Sequence, residues 1–88
     1  MEGVPTRLDA KEVGQAMAGV SGVKGIHDLH IWTITSGLDA LSAHVVVPVG
    51  EDRDAVLDRL QQLLRDRYRI DHATLQVVEE RSDRVQVG

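Results

Sequence analysis

His27, His30, His44 and His72 are the side chains best suited to chemistry in this 88-residue chain, which contains no cysteine. Without thiolates, any metal site must be assembled from imidazole, carboxylate, amide oxygen and water, and the first two together form the donor set that suits Zn²⁺ at neutral pH. His27 and His30 lie in the stretch GIHDLHIWTITSG, which also holds Trp32, the one tryptophan of a chain without phenylalanine. Side chains alternate along a regular strand. His27 and His30 are three positions apart, so they point to opposite faces unless the strand begins after His27 or carries a bulge. Which residue meets His44 depends on hairpin register. A two-residue loop at Gly37 and Leu38 sets Ile31 opposite His44, and a loop one residue longer sets His30 there.

The elements that must position these side chains follow from periodicity. In LDAKEVGQAMAGV, Val13, Ala16, Met17 and Val20 recur at helical spacing, with Asp9 as N-cap and Glu12 three residues on, predicting a helix from Asp9 to Gly19. Segments 26–35 and 40–49 are rich in β-branched and apolar residues and are separated by the turn-forming SGLD, so they read as a hairpin. EDRDAVLDRLQQLLRDRY opens with acidic residues, closes with arginines and carries one aliphatic stripe, which predicts the longer helix. HATLQVVEE then alternates as a third strand. The order α-β-β-α-β predicts an α+β, two-layer sandwich: a three-stranded mixed sheet with both helices on one face, like a ferredoxin fold lacking its first strand. Residues 1–79 form the domain in this reading, and residues 80–88 a polar tail, unstructured or frayed.

This topology carries the donors toward one edge. The start of the first strand lies beside the end of the second, which leads into the long helix. His27, the stretch after His44, and Asp54 in the first helical turn therefore converge, and Gln76 and Glu79 end near them if the third strand runs parallel to the second. Asp54 and Glu51 also have an ordinary role as helix-capping and dipole-compensating carboxylates. Trp32 has two readings as well: core filler, or part of an apolar patch on the sheet face away from the helices, where such a patch marks a partner.

Composition narrows the function classes. Net charge is −4, with two lysines beside eight arginines, so no phosphate-neutralising surface is indicated and no nucleic-acid partner is expected. The apolar runs are strand-sized and the N-terminus lacks an apolar leader, so no membrane insertion of this segment and no secretion are expected. The sequence has no nucleophile elbow, phosphate-binding glycine loop or H-E-x-x-H helix, so an enzyme is not expected and no catalytic or cofactor-binding residue is assigned. An aliphatic core in so short a chain leaves a thin margin over chain entropy, which favours help from a second subunit.

Together, MEGVP, GVKGIHDLHIWTITSGLDALSAHVVV and LLRDRYRIDHATLQV resemble the C-terminal cytoplasmic domain of the cation diffusion facilitator family, proton-coupled exporters of Zn²⁺, Cd²⁺ and related ions. The resemblance covers Met1 to about Glu79. It implies a cytosolic module beneath the membrane domain of a parent transporter, forming a V-shaped homodimer that metal closes at its interface. It also implies ligands at the positions of His27, His44, Asp54 and Gln76, of which the first two keep histidine. Where some members carry an acid, this chain has Val78, with Glu79 displaced by one. The implied set is His27, His44 and Asp54, joined by Glu79 or a partner-chain ligand. The implied ion is Zn²⁺, with Cd²⁺ or another divalent transition metal as alternatives. A metal-independent structural dimerisation module is the competing expectation, since Gln76 and Val78 are not the family's ligands.

Overall fold

The computed structural model describes residues 8–80, which form two helices and three strands. Helix α1 spans Ala10–Ala18, strand β1 Gly25–Thr35, strand β2 Leu38–Pro48, helix α2 Arg53–Tyr68 and strand β3 His72–Glu80. The expected order and sheet are found: β2 is central, antiparallel to β1 and parallel to β3. Strand β3 covers the whole of HATLQVVEE and so ends at Glu80, one residue past the expected domain bound; residues 81–88 lie outside the described residues.

Helix α1 begins where Asp9, in extended backbone, accepts a hydrogen bond from the Lys11 N–H at 3.0 Å. Asp52, rather than Glu51, caps α2 by accepting from the Ala55 N–H at 3.2 Å, which satisfies an otherwise unpaired helical donor. At the other end Arg69 adopts the left-handed conformation, the Ile70 N–H bonds the Leu64 carbonyl, and the Ile70 side chain turns into the core. Val13 and Met17 from α1, and Val56, Leu60 and Leu64 from α2, are fully buried against Leu41, Ala43, Val45 and Val47 of β2. One continuous core thus lies between both helices and a single face of the sheet. The other face is uncovered among the described residues.

The loop from α1 to β1 is held against α2. Arg59 donates to the Ser21 carbonyl at 2.8 Å, and Gly22 has φ of +95°. A β-carbon on Gly22 would stand 2.7 Å from Val56 Cγ2, a buried methyl that cannot retreat. Gly22→Ala is therefore expected to cost about 1–3 kcal/mol through backbone strain and overpacking. Urea denaturation measures it; an unchanged midpoint would show that the loop relaxes freely.

The hairpin register differs from both alternatives considered for it. The turn is Ser36–Gly37, with Thr35 paired to Leu38 and Gly37 at φ +79°, rather than Gly37–Leu38. Two irregularities then shift β1 along β2: between His27 and His30, and between Thr33 and Thr35, β1 spends one residue more than its partner. Each extra residue moves the register, so Ile31 faces Leu41, His30 faces Ser42, and His27 faces His44. β1 is an edge strand, where bulges are tolerated because only one side is hydrogen-bonded.

Candidate metal centre

The uncovered sheet face carries the histidines. Ala43 and Val45 are buried in the core, so His44 between them points the opposite way and is exposed. His27 is its direct antiparallel partner and Gln76 its parallel partner, so the three residues form one row across the sheet. Directly opposed antiparallel residues hold their β-carbons about 4.5–5.5 Å apart, a separation that lets two imidazoles share one ion. The next row is His30, Ser42 and Thr74, and the one after it Trp32, Ala40 and His72.

The bulge is what places His27 and His30 on the same face. Three residues of β1 span two of β2 there, which cancels the phase difference that a regular strand would impose. The turned residue is Asp28, at φ +54°, a region that few residues other than glycine, asparagine and aspartate enter readily. Leu29 packs back on the core, where Gly14 of α1 leaves space for it. Asp28 instead reaches across to β2, where its Oδ2 lies 3.0 Å from His44 Nδ1, within hydrogen-bond distance.

Asp28, His30, His44 and Gln76, with Ser42, Ala43 and Thr74, line an open depression of about 360 Å³. His27 flanks it, with its Nε2 3.7 Å from where a β-carbon on Gly25 would stand. Gly25 thus leaves the imidazole room over the sheet.

Asp54 and Glu79 do not lie in this row. His44 is four residues before Pro48, the end of β2, about 13 Å at 3.3 Å per residue, and Asp54 lies beyond that end on the helix layer. Glu79 pairs with Val47, a core-facing residue, and so stands on the helix side of the sheet, exposed near the end of β3. The edge on which the sequence reading gathered all the donors is therefore resolved into a mid-sheet row and two outlying carboxylates. Among the described residues, no group of three or more His, Asp and Glu could hold an ion unaided.

The donors that the row does offer fit part of a Zn²⁺ shell. Two adjacent imidazoles and a carboxylate holding one of them are typical of zinc, and a four-coordinate ion needs further donors from water or another chain. Asp28 was not singled out from the sequence. Its signal was indirect: two histidines at a spacing that only a bulge can reconcile, with an aspartate at the first position after His27.

Trp32 is on the uncovered face and 39 % exposed, as is Val78 near the other end of that face. The core-filler reading of Trp32 is thereby set aside. No helix among the described residues is long and apolar enough to cross a membrane.

Comparison with known proteins agrees with this architecture. Residues 5–80 match the family described as cation efflux protein, cytoplasmic domain. The chain is 43% identical over 77 residues to the metal cation efflux system protein CzcD of Cupriavidus metallidurans, covering 86% of this chain and 24% of that protein. It is 40% identical over 77 residues to a probable zinc transporter protein of Dictyostelium discoideum, covering 88% of this chain and 14% of the relative. The chain thus spans a quarter or less of the length of these relatives. Among solved structures, the metal-bound C-terminal domain of the CzcD transporter superposes with a TM-score of 0.75 at 40% identity, over 81% of this chain and 99% of that one. The copper form of the MamM C-terminal domain superposes with a TM-score of 0.68 at 12% identity, over 86% of this chain and 87% of that one, which speaks for the fold alone. The order of elements, the sheet they build and the sequence identity across nearly the whole domain lead to one assignment: the chain belongs to the cytoplasmic-domain family of cation efflux proteins.

Proposed function

We propose that this domain is the metal-responsive dimerisation module of a proton-coupled Zn²⁺/Cd²⁺ efflux transporter, binding a divalent cation between two copies of itself on the uncovered sheet face. The observation that supports this reading is the row His27, His44 and Gln76, which presents adjacent imidazoles on a face that none of the described residues covers. The relatives' descriptions fit it. They include a zinc transporter and, at 38% identity over 86 residues, a cadmium, cobalt and zinc/H(+)-K(+) antiporter of Bacillus subtilis.

In this proposal His27 and His44 supply nitrogen donors from one protomer. The rest of the shell would come from water or from a donor of the second protomer. Asp54, exposed at the head of α2, and Glu79, exposed late in β3, stay in the proposal as carboxylates near the end of the domain that would reach an ion only at that end, off the uncovered face. The bound cation would supply the cross-link and offset repulsion between two chains of net charge −4. A cation moves an open–closed equilibrium only by its different affinity for the two states, and ligands drawn from both chains create that difference. Imidazole must be neutral to coordinate, so acidification releases the metal.

A metal-independent scaffold is the second reading. It is favoured by the incomplete donor set among the described residues and by Gln76 and Val78 in the third strand. Small-angle scattering of the domain titrated with Zn²⁺ separates the two. Saturable compaction of the dimer, reversed by chelator, is the expected result; a profile unchanged by metal supports the scaffold.

A further inference from the structure

The Asp28 carboxylate has no place in a regular strand at that position. As the residue after His27 it would point toward the helices, among Val13, Met17 and Ile31 of the core, where an unpaired charge is costly. The bulge, with φ of +54° at Asp28, turns the side chain onto the uncovered face, and there it meets His44 of the neighbouring strand at 3.0 Å. Re-aiming one side chain is a known use of bulges.

We infer that Asp28 is a positioning residue that fixes the ring orientation and tautomer of His44, leaving Nε2 as its metal-binding nitrogen. The chemistry is direct. An ionised carboxylate only accepts hydrogen bonds, so the nitrogen facing it, Nδ1, carries the proton. In neutral imidazole the lone pair then sits on Nε2, the far corner of the ring. A carboxylate behind a ligating histidine also raises the basicity of the coordinating nitrogen and holds the ring against rotation. The exposed contact contributes little to stability, with the Asp28 and His44 side chains 69% and 46% exposed. Its value lies in orientation, which the local backbone of the bulge enforces.

This inference rests on the metal-binding reading above, and two measurements keep the two apart. Asp28→Gly removes the carboxylate while suiting the left-handed backbone, and Asp28→Asn keeps an acceptor without charge. Long-range proton–nitrogen correlation spectra of the metal-free domain, recorded with the imidazoles neutral, report the His44 tautomer. Zn²⁺ calorimetry on the same proteins reports affinity. The expected result is an Nδ1–H tautomer in the parent chain, a shift toward Nε2–H in Asp28→Gly, and a loss of Zn²⁺ affinity of about 10–100-fold, with Asp28→Asn between the two. An unchanged tautomer in Asp28→Gly overturns the positioning role whatever the affinity does, and if affinity then falls Asp28 is a ligand itself. A shifted tautomer with unchanged affinity also overturns it. Failure of the parent chain to bind Zn²⁺ removes the metal-responsive reading instead.

Discussion

Exchanging His44 for alanine is expected to weaken Zn²⁺ binding at least about tenfold, or ~1.4 kcal/mol, by isothermal calorimetry. His44 occupies the centre of the proposed site: it faces His27 on one side and Gln76 on the other, and it holds the Asp28 carboxylate. Truncation removes a nitrogen donor from the shell of the ion. His27→Ala should produce a loss of similar size, because the two imidazoles are direct neighbours on adjacent strands. His72→Ala is the control. It lies in the row of Trp32 and Ala40, two rows away from His44, and should leave the isotherm unchanged. An isotherm unaffected by His44→Ala would remove His44 from the site.

Leu60→Ala should lower the thermal midpoint by roughly 10–30 °C, followed by circular dichroism. Leu60 is fully buried at the middle of α2, among Val56, Leu64 and the core-facing valines of β2. Removing its side chain costs about 2–5 kcal/mol in lost transfer energy and residual cavity. At ~0.05–0.15 kcal/mol per residue, a domain of this size has a total stability of only about 4–13 kcal/mol, so the substitution takes a large fraction of it. Zn²⁺ should restore part of the loss, about 2.7 kcal/mol when free metal exceeds the dissociation constant a hundredfold. A drop of only a few degrees would show that the helix repacks over the vacancy.

The elements of the fold were legible because their signals are local. The stripe of Val56, Leu60 and Leu64, the acidic first turn and the arginines of the last turn all belong to α2, and each acts within a few residues. The parallel course of β3 was legible in part, since a β-α-β crossover sets it parallel to one strand of the hairpin; that this strand is β2 is shown by the structure. Register was not. It depends on the turn falling at Ser36–Gly37 and on two bulges in β1, backbone choices that tertiary packing decides, and together these set His27 opposite His44 where Ile31 or His30 was expected. The same cause hid Asp28, whose side chain reaches the uncovered face only through a left-handed backbone that its sequence neighbours do not announce. Asp54 and Glu79 show the converse. Topology brings them toward one end of the domain, but the alternation of β3 turns Glu79 to the helix side, and Asp54 starts beyond the end of β2.

The central claim is tested most directly by diffraction at the zinc absorption edge from crystals of the domain grown with Zn²⁺. The account predicts an anomalous peak on the uncovered sheet face, within about 2.0–2.1 Å of nitrogen from both His27 and His44, and closed by a donor from a second copy of the chain. A map with no peak between those two imidazoles, or with zinc held only at other residues, would contradict it.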